Sequence, residues 1–249
     1  LDVTENKKGN PSATLIAREI RERIYSELKL TASAGISINK FIAKVASDIN
    51  KPNGQKTIEP EEVLSFLEKL PIHKFHGIGK VTSSKMNNLG IFNGTDLKKK
   101  SRQELTLLFG KSGDFYYNIV RGIQKSKVSS KRVRKSIAAE RTFQKNLSSE
   151  IFMLEKLQKI AKELEKRMLE SATKGKTITL KIKYSDFTQQ TRSKTIDHFI
   201  QMYEEMMPLV KELLLQEKLK ESVRLLGISF SNLNTQKKLP IWVQLKLDF

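Results

Sequence analysis

The chain has 249 residues, a hydrophobic fraction of 38% and a formal net charge of +19. That length allows one large domain or two to three small ones, and a chain so basic repels itself until it meets a polyanion, so nucleic acid is the first partner to consider and a membrane surface the second. No run approaches the roughly 18 to 20 apolar residues of a spanning helix, the first residues show no basic-then-apolar pattern, and the absence of cysteine excludes disulfides and thiolate metal sites and agrees with a reducing, cytoplasmic setting.

Residues 1–58 read as a partial α/β domain. The chain begins Leu1-Asp2-Val3-Thr4 without an initiator Met and is expected to be a piece of something longer. The spacing of Leu15, Ile16, Ile20, Ile24 and Leu28 predicts a helix over about 13–28 with one apolar stripe. Leu30 to Ile36 alternates loosely as a strand, and Phe41, Ile42, Val45 and Ile49 share a face of a second helix. Lys51-Pro52-Asn53-Gly54 is a turn, because Pro presets φ and Asn-Gly tolerates positive φ.

Residues 59–125 read as a small all-α domain. Glu59, Glu61 and Glu62 gather at a helix start, where anions suit the dipole. In the stretch Ile72–Ile91, two apolar segments flank Gly77-Ile78-Gly79, and a helix is expected from Lys80 to Leu89, with Val81 and Leu89 apolar and Gly90 ending it. Such a turn points free backbone N–H groups at a phosphate; a plain helix-turn-helix corner is the other reading. Ser101 and Glu104 fit a capping box that opens a helix burying Leu105 and Leu107 or Leu108. Phe109-Gly110-Lys111-Ser112-Gly113 makes a second glycine turn. His73 and His76 lack a third ligand nearby and read as surface or phosphate-facing residues.

Residues 126–136 are a basic linker. Lys125, Lys127, Lys131, Arg132, Arg134 and Lys135 crowd an acid-free stretch suited to lie on a polyanion, or to stay a solvated tether. Residues 137–232 read strand, helix, strand, strand, helix, strand. A long helix covers about 151–171. Lys176 to Tyr184 alternates, with Ile178, Leu180 and Ile182 one way and Thr177, Thr179, Lys181 and Lys183 the other. A second helix is expected over 199–216, kinked or interrupted at Pro208. Two helices on one face of a four-stranded sheet leave the other face open, presenting Lys181, Lys183, Arg192 or Lys194, and Arg224. The tail, residues 233–249, ends Gln244-Leu245-Lys246-Leu247-Asp248-Phe249: an amide and three apolar anchors at extended-chain spacing, fit for a docking peptide or a final strand.

The run Thr31–Ile58, TASAGISINKFIAKVASDINKPNGQKTI, resembles the palm of the Y-family translesion DNA polymerases, in the bacterial DinB or polymerase IV branch. The matched pieces are SAGIS, NKFIAKVASD and NKPNG. Ile72–Ile91 resembles a helix-hairpin-helix, which grips the DNA backbone without reading bases. RKSIAAERTF resembles the family's linker and first little-finger strand, with Ala138 where Gly is usual. The last six residues resemble the sliding-clamp motif Q-L-x-L-x-[LF].

The resemblance implies an α+β multi-domain chain: a partial α/β palm (1–58), an all-α thumb with helix-hairpin-helix turns (59–125), the linker (126–136), a βαββαβ little finger (137–232) and a clamp-binding tail (233–249). Lys51 would meet the triphosphate of an incoming deoxynucleotide. DNA would be held by Gly77, Gly79, Lys80, Gly110, Gly113, Lys131, Arg132, Arg134, Lys135, Lys181, Lys183 and Arg224. The bacterial sliding clamp would bind Gln244, Leu245, Leu247 and Phe249. The catalytic carboxylates, and with them the Mg²⁺ sites of the complete enzyme, are expected upstream of Leu1, so this chain is expected to hold no catalytic or metal residue. It should bind primer-template as a monomer without extending it. A non-enzymatic DNA-backbone and clamp-binding module, and an unrelated helix-hairpin-helix repair protein, remain as alternatives.

Overall fold

The computed structural model describes residues 1–235 except 7, 8, 10, 11 and 131. Lys131 and the tail residues Gln244, Leu245, Leu247 and Phe249 thus lie outside the described residues. The chain divides into two compact units, Leu1–Ser130 and the part from Lys131 onward, and the division falls within the basic stretch 126–136.

The first unit opens with α1 (Ala13–Leu28), whose cap Ser12 accepts from the Leu15 N–H at 3.3 Å. The apolar stripe does not bury: no α1 side chain is fully covered. It packs mainly on β1 (Ala34–Ile36) and β2 (Gln55–Thr57), a parallel pair registered Gly35 to Lys56. Three residues per strand are too few to cover sixteen helical ones. Between the strands runs α2 (Lys40–Ile49), capped by Asn39, whose side chain accepts from the Ile42 N–H. Glycine is required at position 35, because a Cβ there would stand 2.0 Å from the Ala43 carbonyl oxygen of α2.

Five short helices follow: α3 (Val63–Lys69), α4 (Lys80–Asn88), α5 (Gly94–Lys99), α6 (Arg102–Phe109) and α7 (Lys111–Ile119). The capping box is formed: Ser101 accepts from the Glu104 N–H at 3.1 Å, and Glu104 accepts from the Ser101 N–H at 2.7 Å. Leu105 is buried and Leu107 exposed. The buried face of α4 differs from expectation. Val81 is 86% exposed and Leu89 partly so, while Ser83 and Met86 point inward, since Met86 must pack beneath the returning Ile91, whose N–H bonds the Met86 carbonyl. Phe41, Ile42 and Val45 of α2 share one hydrophobic core with Leu67, Phe75, Met86, Leu105 and Ile119.

In the second unit, β3 (Ser136–Leu147), β6 (Val223–Leu233), β4 (Gly175–Tyr184) and β5 (Gln189–Ile200) form an antiparallel sheet in that order. The helices α8 (Glu150–Glu170) and α9 (Tyr203–Leu215) cover one face, completing a βαββαβ order. Leu157, Ile160, Leu164 and Met168 of α8 and Met206, Val210 and Leu213 of α9 bury against Ile178, Leu180, Ile182, Ile228 and Phe230. Phe199 and Ile200, expected in the second helix, end β5 instead, and the helix starts at Tyr203. It runs through Pro208 without a break, although proline there has no N–H for the Glu204 carbonyl one turn back.

The register corrects the open face. Leu180 pairs with Arg192 and Ile178 with Lys194, so both cations share the helix-covered side with buried leucine and isoleucine. The open side carries Lys181, Lys183, Thr177 and Thr179 of β4 against Thr191, Ser193 and Thr195 of β5.

Candidate nucleic-acid interface

The Lys51 turn is braced from three directions. Asn53 holds a left-handed φ of 52°, and Arg21 of α1 donates from Nη2 to its carbonyl oxygen at 2.6 Å and to its Oδ1 at 3.0 Å. The same guanidinium donates from Nε to the Ala32 carbonyl at 2.8 Å. Asn50 Nδ2 spans the turn to the Gln55 carbonyl, and a Cβ on Gly54 would lie 1.8 Å from the Asn50 carbonyl oxygen. Lys51 is half exposed, and its Nζ sits 2.5 Å from Asp48 Oδ1; Lys44 Nζ lies 2.8 Å from Oδ2 of the same carboxylate. Hydrogen bonds from Lys44 first, and from Lys51, hold the Asp48 carboxyl at about 2, well below its usual range. The cluster carries two ammonium groups for one carboxylate.

The first glycine turn is anchored by Ile78, buried between exposed Gly77 and Gly79. Gly77 takes φ 93°, which a residue with a Cβ would resist. No side chain caps α4 at Gly79, so its first-turn N–H groups are available to an anion. A Cβ on Gly79 would meet nothing within 4 Å, and Lys80 beside it is exposed. In the second turn Gly110 takes φ 59° and is open, and no side chain caps α7. Gly113 is different. It is buried in α7, its N–H bonds the Gly110 carbonyl, and a Cβ there would stand 2.1 Å from the Leu105 carbonyl oxygen. It is a packing glycine that lets α6 and α7 meet, which corrects its expected place at a DNA surface. His73 and His76 are exposed.

In the second unit Arg132, Arg134 and Lys135 are exposed ahead of β3. On the open sheet face Lys181 is tied to Glu140 at 2.9 Å, whereas Lys183 and Arg224 flank the ring of Phe187. Arg224 reaches that side because the β4–β6 register shifts between Lys183 and Tyr184. Hydroxyls line the rest: Thr177 with Thr195 and Thr179 with Ser193, each at 2.8 Å, and Asn232 donating to Thr177. Arg192, by contrast, is buried; its Nη1 and Nη2 donate to the carbonyls of Leu213, Leu214 and Glu217, and its Nε has no partner among the described residues. Lys194 pairs with Glu212 of α9 at 2.6 Å. Sequence reasoning missed Arg21 and Phe187. Phe187 carried a signal, an aromatic in a polar turn; Arg21 looked like any other exposed helix cation.

Among the described residues no group of three or more His, Asp or Glu side chains is placed to hold a metal ion, and no helix is long and apolar enough to cross a membrane.

Comparison with known proteins matches this arrangement. Residues 1–48 match the impB/mucB/samB family, residues 60–91 the IMS family HHH motif and residues 134–247 the impB/mucB/samB family C-terminal domain. DNA polymerase IV of Listeria innocua is 46% identical over 237 residues, covering 94% of this chain and 66% of that one. DNA polymerase IV 2 of Agrobacterium fabrum is 45% identical over 249 residues, all of this chain and 70% of that one. The chain therefore spans 66% of the length of the Listeria relative. Among solved structures, a Y-family DNA polymerase chimera of Dbh and Dpo4 superposes with a TM-score of 0.76 at 29% identity, covering 94% of this chain and 68% of that one. A post-insertion binary complex of Dbh DNA polymerase gives 0.55 at 28%, covering 93% and 68%. The match across the whole chain removes the reading as an unrelated helix-hairpin-helix repair protein, and the chain belongs to the impB/mucB/samB family of Y-family polymerases, among the bacterial DNA polymerase IV sequences.

Proposed function

We propose that this chain is the part of a translesion DNA-directed DNA polymerase that holds the primer-template duplex and the triphosphate of the incoming deoxynucleotide. Residues 1–58 serve as part of the palm, 59–125 as the thumb, 126–136 as the linker and 137–232 as the little finger. The observation that carries this reading is the build of the Lys51 turn. A braced backbone presents one ammonium whose only ion-pair partner among the described residues is a carboxylate shared with Lys44. A triphosphate, with several charges, displaces a single exposed carboxylate from Lys51, and Asp48 keeps Lys44. Gly77, Gly79, Lys80 and Gly110 take the duplex backbone at two helix starts. Arg132, Arg134 and Lys135 follow it with charge, and Lys183 and Arg224 add to it from the sheet.

Nucleotidyl transfer in this family calls for magnesium held by clustered carboxylates. The residues present do not fit that role. Asp48 is taken by two lysines, and Asp2 accepts from the N–H and hydroxyl of Thr4. Asp2 and Asp48 thus hold no metal in this proposal. Purified alone, the chain should bind primer-template and fail to extend it with Mg²⁺. In the complete enzyme Lys51→Ala should raise the KM for deoxynucleotide by about tenfold or more, as loss of a charge-assisted phosphate contact does, with DNA affinity little changed. An unchanged KM overturns the role of Lys51. Template-dependent extension by the chain alone that is lost with Asp48→Ala overturns the placing of catalysis elsewhere and leaves Asp48 as the centre.

The tail motif extends the proposal to a bacterial sliding clamp. Deleting residues 244–249 should abolish retention on the clamp and leave DNA affinity unchanged; a deletion that lowers the melting temperature instead marks the tail as a strand of the domain.

A further inference from the structure

The hairpin between β4 and β5 holds an aromatic ring where the backbone resists one. Phe187 takes φ 68°, a left-handed conformation that glycine or asparagine adopts with less strain. Its N–H bonds the Tyr184 carbonyl, Tyr184 N–H bonds the Thr188 carbonyl, and Ser185 N–H bonds the Ser222 carbonyl. Asp186 accepts from both the N–H and the hydroxyl of Thr188. The turn is thus tightly specified, yet the ring is 61% exposed. Packing does not explain it. Strain kept at an exposed non-glycine residue marks a place to look for a use.

That use is visible in what the ring touches. Arg224 Cζ lies 4.9 Å and Lys183 Nζ 5.1 Å from the Phe187 centroid, within cation–π range. Three other cations of this sheet are neutralised by acids, Lys181 by Glu140, Lys194 by Glu212 and Arg141 by Glu163, while Lys176 lies over the Phe199 ring. Lys183 and Arg224 make no ion pair among the described residues. A carboxylate would fix a cation and cancel its charge together. A ring fixes it and leaves the charge in place.

We propose that Phe187 is a positioning residue that holds Lys183 and Arg224, charged and pre-ordered, for the phosphates of a nucleic-acid duplex. This rests on the reading of the open sheet face as a duplex-binding surface. Long side chains lose rotamer freedom when they bind, and the ring removes part of that loss before the duplex arrives. Phe187 itself touches no phosphate.

The test is a double-mutant cycle on the whole chain, with affinity for a duplex of fixed length measured by fluorescence anisotropy over a range of salt. Phe187→Leu keeps an apolar side chain at the same φ and should weaken binding about three- to tenfold, the cost of ordering one to two long side chains that the ring no longer holds. Phe187→Tyr should restore it. In the Lys183→Ala/Arg224→Ala background Phe187→Leu should have no further effect. An equal loss in both backgrounds overturns the proposal and makes the ring a direct contact; no loss in either overturns it as well. The melting temperature should not move with Phe187→Leu, and a fall large enough to account for the lost affinity makes the ring structural. If Lys183→Ala/Arg224→Ala leaves affinity and salt dependence unchanged, the underlying reading of the sheet face has failed, a result distinct from failure of the role given to Phe187.

Discussion

Arg192 Nη1 donates to the Leu214 carbonyl oxygen at 2.6 Å. The same nitrogen reaches the Leu213 carbonyl at 2.8 Å, and Nη2 reaches the Glu217 carbonyl at 3.1 Å. A buried guanidinium here closes the C-terminal end of α9. The last carbonyls of a helix have no intrahelical donors, and the dipole there favours a cation. Arg192 should therefore be a stability residue. Arg192→Leu leaves three carbonyls short of a donor and should cost about 2–3 kcal/mol, the scale of buried groups left unsatisfied. Denaturant unfolding checks the loss, which should vary little with salt. Arg192→Lys should recover part of it, because one ammonium cannot match the fork.

The glycines separate by the same logic. Gly113→Ala drives a Cβ to 2.1 Å from the Leu105 carbonyl oxygen, so α6 and α7 must part at a cost of about 1–3 kcal/mol. Gly79 has φ −79° and open space around it, so Gly79→Ala should change stability by less than about 1 kcal/mol. It should still weaken duplex binding, since the new methyl stands where a phosphate backbone would approach. A melting curve and a binding isotherm on both variants decide it: stability lost with Gly113→Ala, affinity lost with Gly79→Ala.

Asp48 supplies a pH signature. Its carboxyl is held at about 2 by Lys44 and then Lys51. A depressed folded-state pKa stabilises the fold above the unfolded value near 4, and the contribution is lost as pH falls through the folded value. Carboxyl-carbon NMR should show the low midpoint. Lys44→Met should raise it more than Lys51→Met, because the Lys44 hydrogen bond is the larger cause. A midpoint in the ordinary aspartate range would mean the two lysines do not hold it in solution.

In the proposed reading the basic linker contributes to the salt dependence of duplex binding. Arg132, Arg134 and Lys135 are exposed and precede β3. Replacing all three with Ala should weaken duplex affinity and reduce the log–log salt slope by up to about 2.7, from about 0.9 per phosphate contact. An unchanged slope would show that the segment does not follow the backbone.

These residues also show what the sequence makes legible. The clean alternation of Ile178, Leu180 and Ile182 announces which side of β4 is buried, and Ser101 with Glu104 announces a helix start. β5 offers no such contrast: Thr191, Arg192, Ser193 and Lys194 are all polar, and only the pairing of Arg192 with Leu180 tells which pair faces the helices. From sequence Arg224 is already expected on the open face, but the reason it reaches there, a register shift that breaks the period of two, is visible only in three dimensions. At Gly113 spacing alone cannot separate a glycine that opens a turn from one that lets two helices touch. The stripe of α1 fails differently. Its pattern is sound, but three-residue strands cannot cover it. The Lys51 turn lay near the other extreme, because Pro, Asn and Gly each dictate a conformation locally; only its brace from Arg21, far off in sequence, was hidden.

The core shared by α2 and the short helices has a mechanical consequence. Asn39 at the head of α2 donates to the Gly122 carbonyl at 3.0 Å, the Phe41 N–H donates to Gln124 at 2.8 Å, and the Phe41 ring meets Phe75 and Phe115. Helix α2 ends next to Lys51, and Phe75 and Phe115 lie beside the Gly77 turn. Both the helix and the turn contribute to one hydrophobic core. In the proposed reading, a tilt that lifts the glycine turns from a duplex would carry Lys51 with it, as the two ends of one lever, so that letting go of the duplex and letting go of the nucleotide would become a single motion.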